Sequence, residues 1–211
     1  NLKLQREFNH LWNHSRDFEH VSFPHELSTA TINDVDIVDD PNVDVFFTSS
    51  NFSVSGTTFR SRTGYNTVSD ALVTAIEQAT DSILVASGHM RSRPVAEALI
   101  RKRAQDPNIE IKVLLDSQEY ISTWMHGQQE RNRSTCLAAA GTSASKIRKC
   151  NDKGFRFGYE LGNSSIAVRY KYYAYRWDYS YALQMHHKLM IIDGDELWTG
   201  SYNLSDNAEH N

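Results

Sequence analysis

Apolar residues at Leu4, Phe8, Leu11 and Trp12 recur at i, i+4, i+7 and i+8, a spacing that predicts a short amphipathic helix ending within residues 13–15. The period is then lost. Residues 16–42 pass His20, Pro24, His25 and an acidic stretch, Asp34, Asp36, Asp39 and Asp40, and read as a linker or irregular crossing. From about residue 43 the pattern becomes an alternation of strands and helices. Residues 43–48 predict a strand, and residues 66–80 a helix with Val68, Leu72, Ala75 and Ile76 on one face. Residues 83–87 form an uninterrupted apolar run suited to a parallel strand buried on both faces. A helix follows over 94–105 with Pro94 at its start, then another buried strand over 109–115.

Residues 117–160 are polar and rich in Gln and Ser, with a helix predicted over 131–140, and read as an insertion over the sheet. Residues 166–175 are β-branched and aromatic enough for a strand. Two last strands, 187–193 and 196–199, are joined by Gly194 and Asp195, a pair suited to the positive φ of a tight hairpin. Strand and helix alternate throughout. The expected fold is α/β: an α-β-α sandwich around a mixed, largely parallel sheet, ending in a strand hairpin.

Composition narrows the function. The 211 residues are 40% hydrophobic and 23% charged, an ordinary globular mix that excludes a wholly disordered chain. No apolar run exceeds five residues, far short of the roughly 20 needed for a membrane-spanning helix. The net charge of −4 offers no global attraction to nucleic acid or anionic lipid, so a polyanion would need a local patch. The chain opens on Asn1 without an initiator Met and stops soon after a dense polar cluster, which suggests a piece of something longer.

Cys136 and Cys150 are the two cysteines, and neither lies in a zinc-type spacing. They could close a disulfide worth about 3 kcal/mol, which would favour a secreted or periplasmic setting; the alternative is two reduced thiols. The acidic stretch lacks the glycine of a calcium loop and reads as a solvated loop.

The densest chemistry lies in the last hairpin. His186 and Lys188 are two apart, so on a strand both side chains leave the same face, and an imidazole stands beside a fixed positive charge. Ser201 and Asn203 repeat that spacing on the returning segment and add a hydroxyl and an amide. Asp193 is an odd number of residues from His186 and falls at the turn, where it orients the backbone or its neighbours. A cation, amide donors and an imidazole at one point suit an anionic centre whose charge grows in the transition state, with a phosphodiester the natural candidate.

His186, Lys188 and Asp193 form an HxKxxxxD element, and Gly200-Ser201-Tyr202-Asn203 a GSxN element at the usual distance. Together they resemble the phospholipase D superfamily. One HxKxxxxD would arise by chance in roughly one chain in a hundred of this length, so the second element in register carries the weight. The resemblance implies a metal-independent phosphodiesterase or phosphatidyl transferase without cofactors. Two HxKxxxxD copies face each other; one His attacks phosphorus to form a phosphohistidine and the other protonates the leaving alcohol. Lys188 and Asn203 would hold phosphoryl oxygens, and one copy leaves open whether His186 is nucleophile or acid. The second copy would come from an upstream half or from a homodimer. The upstream half is favoured, with residues 1–18 as its terminal helix, 19–42 as linker and 43–211 as the catalytic half. Glu209 is the acidic residue available after GSxN, with no assigned role.

His89 and Arg91, after the strand over 83–87, are candidates for contact with a substrate head group; the alternative is a surface turn. His187 points away from His186. Tyr170, Tyr172, Tyr173, Tyr175, Trp177, Tyr179 and Tyr181 crowd around Arg169, Lys171 and Arg176, and either pack against the core or stack on a substrate. The leading function is a phosphodiesterase acting on a phospholipid, favoured by the acidic balance, or on nucleic acid. A catalytically silent binding module and a metal-dependent hydrolase are the competitors.

Overall fold

A computed structural model describes residues 2–15, 32–38, 40–152, 154–171 and 184–210. The chain divides into two compact units, residues 1–68 with 210–211, and residues 69–209.

The smaller unit begins with helix α1 (Leu2–Asn13), where the apolar spacing predicts it. That stripe is not a core, because Leu4, Phe8, Leu11 and Trp12 are exposed while Asn9 is buried and accepts from Gln5 at 2.9 Å. The strand predicted at 43–48 does not form. Asp44 lies in its middle and its carboxylate accepts from Val45 N at 2.7 Å and from Lys3 Nζ at 2.7 Å, a local bond that competes with strand pairing. The strands instead come later, as an antiparallel hairpin of β1 (Phe52–Ser55) and β2 (Thr58–Ser61) that turns through Gly56 at φ 60°. Of the acidic stretch, Asp34–Asp36 is a short 3-10 turn whose Asp36 carboxylate accepts from Asn33 N at 3.0 Å. Asp39 and residues 16–31 lie outside the described residues.

The larger unit follows the predicted alternation. Helix α2 (Thr67–Gln78) leads to β3 (Ser82–Ser87), helix α3 (Arg93–Gln105) and β4 (Glu110–Asp116). After the insertion come β5 (Ala167–Lys171), β6 (Lys188–Ile192) and β7 (Glu196–Thr199). The sheet order is β5-β4-β3-β6-β7, with β3, β4 and β5 parallel and β6 and β7 antiparallel to their neighbours. Leu72, Ala75 and Ile76 of α2 and Val95, Ala96, Ala98 and Leu99 of α3 supply the helical side of the core. Ile83, Val85, Ile111, Val113 and Leu115 supply the sheet side. At roughly 1.5–3 kcal/mol for each large apolar side chain buried, these residues hold the unit together. β4 corrects the expectation of a strand buried on both faces: Glu110 and Lys112 alternate with the core residues, point to water and pair at 2.5 Å.

The insertion is more helical than its sequence predicts. Helix α4 (Thr123–Ala140) starts well before residue 131, capped by Ser122 Oγ, which accepts from Met125 N at 3.3 Å. Gly127 and the absence of an apolar stripe over 123–130 hide this first half. Helix α5 (Ala144–Asp152) returns beside it, and Cys136 and Cys150 are bonded across the pair with Cα atoms 5.5 Å apart. A short helix α6 (Gly158–Asn163) leads into β5. No helix among the described residues is long and apolar enough to cross a membrane.

The β6–β7 turn has positive φ at Asp193 (54°) and Gly194 (80°), one residue earlier than the pair predicted. Asp193 is placed there by its side chain. Its carboxylate accepts from Ser82 N at 2.9 Å, Asp81 N at 2.7 Å, Thr80 N at 2.8 Å and Thr80 Oγ1 at 2.9 Å, tying the hairpin to the loop between α2 and β3. These donors, Ser82 N first, hold its carboxyl well below the usual carboxylate range against the opposing effect of burial. A depressed folded value means that the stabilisation is present above the unfolded carboxyl value, about 3.9, and is lost as pH falls through the folded one. Asp193→Asn should therefore cost about 1–2 kcal/mol at neutral pH, a modest figure because the group is partly open to water. Urea unfolding should show that gap narrowing below about pH 4; a gap that widens on acidification would contradict this account.

Candidate active site at the C-terminal edge of the sheet

The parallel strands β3, β4 and β5 all release their chains at one edge of the sheet, where open α/β sheets form ligand crevices. β6 enters at that same edge because it runs antiparallel, with Lys188 opposite Ser87. His186 and Lys188 therefore meet the segments that follow β3 and β4.

His186 is exposed and lies just before β6 rather than within it. Lys188 Nζ is 3.1 Å from His186 Nε2 and donates to the His186 carbonyl oxygen at 3.2 Å. An ammonium has donors and no acceptor, so at the first contact Lys188 donates and Nε2 presents its lone pair. Nε2 thus accepts the hydrogen bond of a fixed cation, and once that ammonium turns to an anionic centre the same contact leaves an imidazole lone pair beside a positive charge.

Three residues that sequence reasoning did not single out hold this pair in place. Asp116, buried at the end of β4, accepts from Met185 N, directly before His186, and also from Gln118 N at 3.1 Å. Its register partner at the end of β5 is Lys171, also buried. Gly88 N donates to His187 O at 3.1 Å, and a Cβ at Gly88 would lie 2.7 Å from Met185 O. That close approach is possible without a side chain. Glu119 is fully buried and collects the loop after β3: Met90 N at 3.3 Å, His89 Nδ1 at 3.0 Å, and Arg91 through Nε at 3.0 Å and Nη2 at 2.6 Å. The usable signal was positional, since a charged residue directly after a buried strand of an α/β sheet stands at the crevice.

His89 and Arg91 are thus anchored by Glu119, and this anchor places them at the same edge. Arg91 N also donates to Leu204 O at 2.9 Å, and Arg91 forms a bridge with Ser205, so the segment carrying Ser201 and Asn203 is tied to the loop that receives His187. The backbone brings the two elements to one loop. Among the described residues, neither Ser201 nor Asn203 hydrogen-bonds to His186; Ser201 is exposed and Asn203 half-buried. Between them Tyr202 turns inward, and burial followed by the charge of Glu209 pushes its phenol above the usual range.

Glu209 is itself buried and accepts from Ser69 N at 3.0 Å in the first turn of α2, where a carboxylate is favoured by the helix dipole. Asp193 lies at the other end of β6, on the order of 20 Å from His186 at about 3.3 Å per residue, so its part is to position the hairpin. His187 is exposed. Tyr170 packs edge-on against Tyr120 at 5.4 Å and Arg169 is exposed; residues 172–183, with the other candidate tyrosines, Arg176 and Trp177, lie outside the described residues.

Glu119→Gln removes the charge that balances Arg91 and one of the two carboxylate oxygens that serve four donors on three residues. The expected cost is about 2–3 kcal/mol in urea unfolding, below the full value for a broken buried pair because Arg91 is partly solvated. A loss under about 0.5 kcal/mol would show that the loop does not depend on this carboxylate.

Residues 72–211 match the family model described as cardiolipin synthase, PLD-like domain. No curated protein matches the chain. Among solved structures it is similar to Nuc, a phospholipase D family member from Salmonella typhimurium, at 18% identity over 70% of this chain and 72% of that one, with a TM-score of 0.43. It is also similar to NucT from Helicobacter pylori, at 18% identity over 67% and 70% of the two chains, again with a TM-score of 0.43. The family match spans the whole sheet together with both motif elements, and the chain belongs to the phospholipase D superfamily of PLD-like domains.

Proposed function

We propose that the chain catalyses metal-independent phosphoryl transfer from a phosphodiester, with His186 as nucleophile and a phospholipid as substrate. The observation that carries this reading is the contact of Lys188 Nζ with His186 Nε2 at 3.1 Å, which sets imidazole and cation at one point of the open edge of the sheet; Lys188 then turns from Nε2 to a phosphoryl oxygen and frees the lone pair. The Nε2 lone pair forms a bond to phosphorus as the bond from phosphorus to the leaving oxygen breaks. The leaving alkoxide takes a proton from the histidine of a second HxKxxxxD element, supplied by an upstream half or by a second copy. Water or an alcohol then attacks phosphorus, returns a proton to that second histidine and frees His186. Lys188 and the Asn203 amide stabilise the charge on the phosphoryl oxygens. The family description naming cardiolipin synthase supports a lipid diester.

Bis-p-nitrophenyl phosphate tests the nucleophile without its acid partner, because p-nitrophenolate leaves without needing a proton. In EDTA the chain should release a burst of one p-nitrophenolate per chain and retain an acid-labile phosphoryl group on His186. His186→Ala should abolish the burst, and Lys188→Ala should slow it by about 10²-fold or more. A burst unchanged in His186→Ala, or one abolished by EDTA, would overturn the reading. Competition by phosphatidylglycerol vesicles rather than by single-stranded DNA is expected; the reverse order would replace the lipid with nucleic acid.

A further inference from the structure

Away from the motif hairpin, the insertion holds a second cluster of chemistry-bearing groups. His126 and Glu130 are one turn apart on α4 and share a face, and Glu160 stands in the first turn of α6. One ligand atom from each lies within 4.8 Å of the other two. We infer that these three residues bind a zinc-type divalent cation that clamps α4 to α6.

The geometry suits that ion. His126 Nε2 and Glu160 Oε1 are 3.4 Å apart. Tetrahedral zinc with bonds of about 2.0–2.2 Å needs donors about 3.3–3.5 Å apart, so this edge of the polyhedron is already at length. Glu130 completes the face by a side-chain rotation, and water takes the fourth position. The set of one imidazole and two carboxylates selects zinc or a neighbouring first-row ion over calcium and magnesium, which seek six or more oxygens.

The imidazole is held ready. It stacks on Tyr159 with ring centroids 4.3 Å apart and meets Phe155 edge-on at 6.3 Å. Gln129, between the two α4 ligands, locks the strand of chain leading to α6: its Nε2 donates to Arg156 O at 3.1 Å and its Oε1 accepts from Arg156 N at 3.1 Å. The three side chains are partly buried, with 20% exposure at His126, 29% at Glu160 and 35% at Glu130. Two carboxylates therefore converge in a partly dehydrated place, with Arg133 Nη1 as a cation at 3.3 Å from Glu130. A divalent ion neutralises both.

The site also has a route to the active edge. Phe157 N, at the start of α6, donates to Met90 O at 3.0 Å, in the loop that Glu119 collects. A cation here stiffens the insertion and that loop, and takes no part in bond making at His186.

Calorimetric titration of the metal-free chain with zinc chloride should show one equivalent bound, with a rise in the thermal midpoint. Calcium and magnesium should give neither. His126→Asn and Glu160→Gln, which keep size and polarity, should each weaken zinc binding by about tenfold or more, and cobalt should give the visible absorption of a four-coordinate ion in the unsubstituted chain alone. Absence of saturable zinc binding, or binding equal in both variants, which would put the ion on other histidines, overturns the inference. All these readouts are binding and spectroscopy, so they stand apart from the fate of the phosphoryl-transfer reading.

Discussion

β6 runs antiparallel against β3, with Lys188 opposite Ser87 and Ile192 opposite Ile83, and the place of each motif residue follows from the end of that strand it occupies. At the leading end, His186 and Lys188 arrive where β3, β4 and β5 release their loops. At the trailing end, Asp193 reaches the loop between α2 and β3 and seals the turn through Ser82, Asp81 and Thr80. The strand between is apolar, with Met190 and Ile192 buried, so burial fixes its register and a one-residue slip would send these side chains to the wrong face. One pairing thus places both the candidate site and its anchor.

Around the leading end, polar groups are buried in a way that fixes backbone rather than substrate. Asp116 takes the amide before His186, Gly88 takes the carbonyl after it, and Glu119 collects three consecutive residues of the neighbouring loop. Buried carboxylates are costly unless they are fully paired, and Glu119 has four donors around it. The result is a histidine whose backbone is held while its ring remains open to solvent. In the proposed reaction, pre-set position of this kind lowers the reorganisation needed as charge develops on a phosphoryl group.

Much of this was legible in the sequence, for identifiable reasons. The core helices α2 and α3 and the strands β3, β4 and β6 carry strong apolar patterns and clear starts, such as Pro94. The pair His186 and Lys188 was legible from its period of two. The strand at 43–48 was misread because Asp44 bonds to its own neighbour's amide, which periodicity does not register. The first half of α4 was hidden by Gly127 and by the lack of an apolar face. The position of Asp116 and Glu119 after a buried strand was legible, but their roles were not, because their partners are backbone amides and side chains far away in the chain and only the fold brings Met185, Met90 and Arg91 to them.

The proposed chemistry turns on the state of one ring. If Lys188 donates to Nε2, then in neutral His186 the proton sits on Nδ1 and the accepting lone pair on Nε2. Nitrogen-15 NMR of the labelled imidazole distinguishes the two tautomers directly. The predicted result is an unprotonated Nε2 in His186 whose tautomer preference weakens in Lys188→Met; a neutral ring protonated at Nε2 in the unsubstituted chain would contradict it.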